Sequence, residues 1–190
     1  IKHTKNTFKC VFKSKSLLWL MTAIMIVFCI QKMNREAYQL WYIALSAPAI
    51  VFGIAGSFIE GLGGLGGSLV KYLSSKRINI VLSILLGLAS LALSVGSNLW
   101  ITIAAQVLIA VVSGALLFHF TAQIQHQLPS RYRTGSGSVI NAVGRIVLIP
   151  LTFVFGVLSN QSVFIAGWML VVLSGLAIFV QLKLDEQASP

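Results

Sequence analysis

Residues 78–95 read INIVLSILLGLASLALSV, and residues 99–125 read LWITIAAQVLIAVVSGALLFHFTAQIQ. Neither run contains Asp, Glu, Lys or Arg. A helix of roughly 20 apolar residues is long enough to cross the hydrocarbon core of a bilayer. Gly96-Ser97-Asn98 separates the runs and has the composition of a tight turn. This stretch therefore predicts two membrane-spanning helices joined by a short connection.

The same pattern extends in both directions along the chain. We predict six spans, at about residues 16–42, 46–73, 78–95, 99–125, 135–158 and 163–182. Ser46-Ala47-Pro48 is typical of an N-cap followed by a first-turn proline. Strands of a membrane barrel would be shorter and would alternate with polar residues. The predicted fold class is an all-α integral membrane protein, with a basic leader (1–15), a six-helix domain (16–182) and a polar tail (183–190).

Composition supports this class and excludes others. Hydrophobic residues make up 57% of the 190-residue chain and charged residues only 9%, whereas a soluble domain carries about 25% charged residues. Such a chain cannot cover a water-facing surface, and it is too apolar to remain disordered. The net charge of +10 indicates contact with anionic lipid rather than nucleic acid. The lipid bilayer is the expected partner.

The basic residues predict the orientation of the spans. They concentrate in the leader, in alternate loops and in the tail, where those beyond the leader are Lys71, Lys76, Arg77, Arg131, Arg133 and Lys183. With six spans, all of these positions fall on one side of the membrane. The opposite side carries only Lys32 and Arg35, in the outer turns of the first span. Basic loops mark the cytoplasmic side, so both termini are expected there.

Two ionisable residues are predicted at membrane depth. Glu60 lies roughly 20 Å from the outer face and Arg145 roughly 15 Å from the inner face, at 1.5 Å of rise per residue. Ionisable residues so deep are costly and usually functional. Glu60 is a candidate coupling carboxyl. Arg145 is a candidate for holding an anionic substrate or for pairing with Glu60, and a purely structural pair is the alternative.

Weaker candidates are the uncharged polar residues of the fourth and fifth spans, Gln106, His119 and Asn141. The unperturbed pKa of histidine suits proton transfer. A hydrogen-bonded packing role for His119 is the more common alternative. The sequence contains no HExxH motif and no Cys/His zinc spacing, so no metal or other cofactor is expected.

A glycine-rich segment ends the second span, with Gly61, Gly63, Gly64, Gly66 and Gly67 in seven residues. Small residues allow close helix packing in lipid, and dense glycine also softens a helix. Packing and a hinge therefore both remain open, and Pro150 is a second hinge candidate. The spacing G-x-G-x-x-G occurs here, but no Asp or Glu follows within twenty residues, which excludes a dinucleotide site.

Two loops carry a family resemblance. Leu128-Pro129-Ser130-Arg131-Tyr132-Arg133-Thr134-Gly135, leading into Ser138-Val139-Ile140-Asn141, looks like the start of the eleventh helix of bacterial major facilitator superfamily transporters. Residues 67–77, GSLVKYLSSKR, resemble the weaker copy of the family's signature loop, with Lys71 at its acidic position and Ser74 at its second glycine. Together with the layout of spans, the chain resembles the C-terminal half of such a transporter. Residues 16–96 and 99–182 would then be two inverted three-helix repeats.

The resemblance implies a twelve-helix carrier that works by alternating access in a bacterial cytoplasmic membrane. The first and fourth helices would line the substrate path, which makes Gln31, Gln106, Ser113 and His119 candidate lining residues. The loop positions Gly67, Lys71, Lys76, Arg77, Arg131 and Arg133 would form the cytoplasmic motifs. Proton-coupled export of a drug or metabolite is the leading expectation, and uptake of a sugar or other metabolite is the alternative. The partners would be a small-molecule substrate and an N-terminal six-helix half of the same polypeptide.

Two further classes stay open. A free-standing six-helix protein, such as a dimeric channel or scaffold, would share this composition. An intramembrane enzyme would need a Ser68–His119 dyad, for which no oxyanion loop is visible, so no enzymatic activity is expected. The first residue is Ile rather than Met, and we expect the chain to be a fragment of a longer reading frame.

Overall fold

The computed structural model describes residues 15–69 and 76–188, excluding the side chains of 69, 76, 77, 130–136, 185, 187 and 188. Six α-helices occupy these ranges: α1 (Lys15–Ala44), α2 (Ala49–Leu69), α3 (Lys76–Val95), α4 (Leu99–Gln127), α5 (Ser130–Ser159) and α6 (Val163–Ala188). All six are long and apolar enough to cross a membrane. The predicted all-helical class and the six predicted spans are confirmed. Residues 1–14 of the basic leader and Lys71 lie outside the described residues, whereas Lys15 begins α1.

Two predicted boundaries are wrong because helix continues past the apolar run. The predicted polar loop at 129–133 is largely helix, since α5 begins at Ser130 directly after Pro129. Proline suits a helix start because its missing N–H would have no partner there. The predicted tail at 183–190 is helical as far as Ala188, with an exposed Lys183–Glu186 ion pair of 2.7 Å along one face. Loss of hydropathy marks where a helix leaves the apolar layer, not where the helix ends.

The turn between α1 and α2 also differs from the prediction. Ser46 has a φ of 52° and does not cap α2. Its N–H bonds the oxygen of Ile43 at 3.0 Å, and the next N–H, of Ala47, bonds Tyr42 at 2.8 Å. This is the Schellman pattern that closes a helix C-terminus with a left-handed residue. Ser46 therefore ends α1, and α2 begins after Pro48.

The predicted turn between α3 and α4 is confirmed, with Asn98 as its main polar contact. The side chain Oδ1 of Asn98 accepts from the backbone N–H groups of Trp100 at 2.9 Å and Ile101 at 3.3 Å. These bonds satisfy donors that the first turn of α4 would otherwise leave unpaired. The cap fixes where α4 starts and hence the depth of every residue along it.

Helices α1 and α4 form the centre of the domain and pack against each other. Both carry long rows of fully buried side chains, such as Ile24 and Ile30 on α1 and Ile109 and Leu116 on α4. Around this pair, α6 packs on α1, α3 packs on α4, and α3 packs along α6. Helix α2 packs mainly on α4, and α5 packs mainly on α1 and α6. The central pair thus positions most residues of the candidate site.

Small polar residues form the interface between α3 and α6. The hydroxyl groups of Ser90 and Ser174 lie 3.1 Å apart, and each is also within hydrogen-bond distance of a carbonyl one turn earlier in its own helix, so one of them donates to the other or both donate to the backbone. A Cβ on Gly167 would lie 3.2 Å from the Cα of Ser94, which shows how closely the backbones approach. Small residues and hydroxyl pairs are the usual means of joining helices in lipid. This interface holds the outer helices in register.

The outward faces of the domain are apolar. Ile50, Trp100, Ile149, Phe153 and Val172 are each more than 60% exposed. Water would make so many exposed large apolar side chains unfavourable, whereas lipid tails would not. Six long apolar helices with outward-facing apolar side chains describe a multi-pass membrane protein.

Candidate functional site

A cavity of about 240 Å³ lies between α1, α2 and α4. We call it the charged cavity, because an arginine and a glutamate line it together. Its lining residues are Gln31, Asn34, Arg35, Ile59, Glu60, Gly63, Gly64, Ala110 and Phe118. Two of the residues predicted from the sequence, Gln31 and Glu60, therefore lie in one cavity.

Arg35 and Glu60 form a bidentate ion pair in this cavity. The Nε of Arg35 donates to Oε1 of Glu60, and its Nη2 contacts Oε2. Planar guanidinium and carboxylate groups match in this fork geometry, which makes the pair stronger than a single contact. Both side chains remain about half exposed, at 51% and 47%. The pair is thus formed at the cavity wall, where another molecule can reach it.

The depth of the pair follows from helix geometry. Glu60 lies eleven residues beyond Ala49, the start of α2, so about 16 Å along that helix. Arg35 lies nine residues before Ala44, the end of α1, so about 14 Å from the same turn. Counted from this turn, both groups lie at the level of the middle of α2, whose 21 residues are about as long as a hydrocarbon core of about 30 Å is thick. Ionisable residues at such a level of a membrane protein are candidates for a functional site.

The predicted pairing of Glu60 with Arg145 is wrong. The guanidinium beside Glu60 belongs to Arg35. Arg145 is exposed on α5 and lines neither of the cavities described here. In the part of the chain that the structure describes, its side chain makes no hydrogen bond or ion pair. The predicted role of Arg145 in holding an anionic substrate stays a prediction.

A second cavity, of about 280 Å³, adjoins the first. It shares Gln31 and Phe118 with the charged cavity and extends between α1, α4 and α5. We call it the amide cavity, and its lining residues are Phe28, Gln31, Gly114, Leu117, Phe118, Thr121, Ile140 and Asn141. The predicted candidate Asn141 thus lies beside Gln31. Amide, hydroxyl and aromatic groups of this kind suit a polar, uncharged portion of a ligand.

A buried hydrogen-bond network next to the charged cavity connects α1 and α4. Tyr42 donates its hydroxyl to Oε1 of Gln106, and Nε2 of Gln106 donates to the carbonyl of Tyr38 at 3.3 Å. Nδ2 of Asn34 donates to the carbonyl of Gln106 at 3.1 Å. Gln106 is fully buried and lines neither cavity. The resemblance implies that Gln106 lines the substrate path. In the structure, the residue instead joins α1 to α4 through these hydrogen bonds and lines neither cavity.

Asn34 links this network to the charged cavity. Its side chain lines the cavity and is almost completely buried. Its Oδ1 atom has no hydrogen-bond partner among the described residues. A buried acceptor without a partner is unfavourable, so such atoms usually accept from water or from a ligand. The sequence analysis missed Asn34 because nothing in the pattern of α1 distinguishes it from an outer-turn polar residue.

His119 and Ser113 lie away from both cavities. Nε2 of His119 is 2.8 Å from Nε2 of Gln123 and 3.1 Å from Nδ2 of Asn79, so the ring joins α4 to α3. Ser113 is fully buried and donates to Ala110 on its own helix. The geometry of His119 fits its hydrogen-bonded packing alternative. Neither residue contacts Ser68, whose hydroxyl donates to the carbonyl of Leu65.

The glycine-rich segment of α2 serves two different purposes. A Cβ on Gly66 would lie 2.6 Å from the backbone nitrogen of Ala115, and one on Gly114 would lie 2.6 Å from the carbonyl oxygen of Gly63. These glycines allow α2 and α4 to cross in backbone contact. A Cβ on Gly61 or Gly64 would meet nothing within 4 Å. Gly66 and Gly114 are therefore packing glycines, a Cβ on Gly63 would make only ordinary contact with Ala110, and Gly64 leaves the charged cavity open.

The remaining predicted motif residues contribute less to the site. A Cβ on Gly67 would lie 3.3 Å from the Phe118 ring. Pro150 lies inside α5 on its exposed face and does not end the helix. The side chains of Lys76, Arg77, Arg131 and Arg133 lie outside the described part. In the described part, no three His, Cys, Asp or Glu side chains come together to hold a metal ion.

Comparisons with sequence models of protein families, with curated proteins and with solved structures found no match. The function therefore has to be inferred from the fold and from the two cavities.

Proposed function

We propose that the chain is the C-terminal half of a secondary transporter of the major facilitator type, which moves a small molecule by alternating access. The leading activity is proton-coupled export of a drug or metabolite. The observation that carries the proposal is the ion pair between Arg35 and Glu60, which lies at mid-membrane depth in the wall of a polar cavity. Intramembrane ionisable residues mark substrate and ion pathways.

The packing of the helices supports two inverted repeats. Exchanging α1, α2 and α3 for α4, α5 and α6 relates two pairs of contacts: α1 on α6 becomes α4 on α3, and α2 on α4 becomes the less extensive contact of α5 on α1. The contact of α5 with α6 has no counterpart of similar extent between α2 and α3 among the described residues. The contacts of α1 with α4 and of α3 with α6 map onto themselves. A pseudo-twofold axis between α1 and α4 would produce this pattern. Transporters built from inverted repeats hold their substrates near the bilayer midplane, at the repeat interface.

The exposure of α2 and α5 supports the proposal that a second, N-terminal half packs against this domain. Helices α2 and α5 bury the smallest share of their apolar spans within the domain. They also contribute Glu60 and Asn141 to the two cavities. In our proposal the N-terminal half covers α2 and α5 and closes the cavities from the other side. Arg145, exposed on α5, would then meet that half.

An uptake permease is the second candidate. The amide cavity combines Gln31, Thr121 and Asn141 with the rings of Phe28 and Phe118. Amide and hydroxyl groups beside aromatic rings fit a sugar or another hydroxylated metabolite. The direction of transport depends on how transport is coupled to an ion gradient and not on the groups that line the cavity, so export and uptake would use the same proposed site. In either case we place the protein in a bacterial cytoplasmic membrane with both ends of the domain on the cytoplasmic side.

The native size of the protein tests this assignment without knowledge of the substrate. We expect the gene to encode six further hydrophobic spans before Ile1, and a blot of intact membranes to show a product near twice the 20.5 kDa of this chain. A product of about 20.5 kDa that begins close to Ile1 would contradict the half-transporter assignment. A free-standing channel or scaffold would then be favoured, and cross-linking would show whether it dimerises.

A further inference from the structure

The charge of the charged cavity is balanced within the cavity itself. Among its lining residues, Arg35 carries the positive charge and Glu60 the negative one. The remaining polar groups are the amides of Gln31 and Asn34 and the backbone of Gly63 and Gly64. The cavity therefore presents separated charges but no net charge.

This balance discriminates between classes of ligand. A monoanion that bound Arg35 would displace Glu60 and leave its carboxylate without a partner at membrane depth. A monocation that bound Glu60 would likewise leave the guanidinium of Arg35 without a partner. An unpaired charge in such an environment is strongly unfavourable. A molecule that carries both charges replaces both halves of the pair at once, and neither side chain loses its partner.

The cavity offers further contacts for a molecule of this kind. The carboxylate of Glu60 suits the several N–H groups of an ammonium, and the amide-bearing residue Gln31 lines the same cavity. Oδ1 of Asn34 has no partner among the described residues, but this atom is closed to solvent in the structure. The volume of about 240 Å³ is also smaller than that of cavities that hold drug-sized ligands, about 300–1,000 Å³.

We propose that the charged cavity binds a small zwitterion with one carboxylate and one ammonium group. The carboxylate binds the guanidinium of Arg35, and the ammonium binds the carboxylate of Glu60. The ligand exchanges with the internal ion pair, so the pair is formed in the empty site and opened in the occupied one. This inference rests on the proposed transport function, because it assigns that function a substrate class.

The test uses four ligands of similar size that differ in charge. L-Alanine carries both charges, L-lactate only the negative one, L-alaninol only the positive one, and glycerol neither. The full-length gene product in detergent is heated with each ligand, and the midpoint of thermal unfolding is measured. A ligand that binds only the folded state raises this midpoint. We expect L-alanine to raise it and the other three to leave it unchanged. An equal rise with any of the three, or no rise with L-alanine, would overturn the proposal.

Two glycine variants locate the binding. Gly64→Leu places a side chain in the charged cavity, and a Cβ there meets no atom within 4 Å, so the variant should fold. Gly61→Leu is the matched control, with the same open space on the same helix but outside the cavity lining. We expect Gly64→Leu to remove the shift caused by L-alanine and Gly61→Leu to retain it. A shift that persists in Gly64→Leu would place the zwitterion elsewhere and contradict the proposal.

Binding and transport are measured separately, so the two proposals can fail independently. L-Alanine that binds but does not cross the membrane of proteoliposomes would support the zwitterion site and contradict a transport function. Proteoliposomes that carry glycerol or L-lactate but not L-alanine would support transport and overturn the substrate class.

Discussion

Glu60→Gln is expected to lower the free energy of unfolding by about 1–3 kcal/mol and to abolish transport, because Arg35 keeps its charge but loses its partner. Breaking a fully buried pair costs about 3–5 kcal/mol, and the lower figure here reflects the half-exposed side chains of both residues. Arg35→Gln should behave in the same way. Thermal unfolding of the purified variants measures the effect on stability.

The double variant Arg35→Gln/Glu60→Gln is the control for this prediction. Glutamine matches glutamate in size and is shorter than arginine, and the two substitutions remove both charges, so no unpaired charge remains. Replacing a whole ion pair is often neutral for stability, whereas removing one partner is not. We therefore expect the double variant to unfold close to the wild-type midpoint while still lacking transport. A loss of stability in the double variant equal to the sum of the two single losses would show that the two charges are not energetically coupled.

Gly66→Ala is expected to destabilise the domain by more than about 2 kcal/mol, because the added methyl group has no room. Its Cβ would lie 2.6 Å from the backbone nitrogen of Ala115 and 2.7 Å from the carbonyl oxygen of Val111. Both neighbours are backbone atoms, so α2 and α4 would have to separate along their crossing. The measurements are the yield of folded protein in membranes and its unfolding midpoint in detergent.

Gly64→Ala provides a matched control two residues away. Its Cβ meets nothing within 4 Å, so the substitution should leave stability unchanged or raise it slightly through the better helix propensity of alanine. If the whole glycine-rich segment acted as a hinge, both substitutions should impair transport to a similar degree with little loss of stability. Equal stability of Gly66→Ala and Gly64→Ala would contradict the close packing of α2 on α4.

The six helices could be predicted from the sequence because hydropathy and turn chemistry agree at almost every boundary. The predicted span 78–95 lies within α3, which begins two residues earlier at Lys76, and the turn at Asn98 caps α4 as its composition indicated. The errors arose where polar residues continue a helix, as at Ser130 and in α6 beyond Leu182. Hydropathy reports the environment of a segment, and polar side chains do not by themselves end a helix.

The partner of Glu60 could not be predicted in the same way. The sequence places Arg35 in a polar stretch that reads as the outer turns of the first helix. In the structure, α1 continues for nine residues beyond Arg35, to Ala44, which puts the guanidinium at the depth of Glu60. Counting from the connecting turn along both helices would have matched the two depths. Arg145 lies in a more apolar run of the sequence and was therefore the expected partner of Glu60. Its helix, α5, lies at the edge of the domain, and the Arg145 side chain is exposed there.

The sequence also could not show which polar residues are buried and which line a cavity. Gln31 and Gln106 both lie on helices that the resemblance assigns to the substrate path. Gln31 lines both cavities, whereas Gln106 is enclosed by Tyr42, Tyr38 and Asn34. The difference depends on which side of the α1–α4 contact each residue faces. That direction is set by tertiary packing and leaves no trace in composition or spacing.

The central claim, transport by alternating access through the charged cavity, predicts that the cavity opens to each side of the membrane in turn. Gly64→Cys places a thiol in the cavity without a steric clash. The native thiols are first removed by Cys10→Ser and Cys29→Ala. Val172→Cys, on the exposed apolar face of α6, is the control that should stay unreactive in lipid.

The most direct measurement is the reaction of this thiol with a membrane-impermeant reagent, applied separately to right-side-out and inside-out vesicles. Our account predicts labelling of Gly64→Cys from both sides and no labelling of Val172→Cys from either side. Labelling of Gly64→Cys from one side only, or from neither, would contradict alternating access through this cavity.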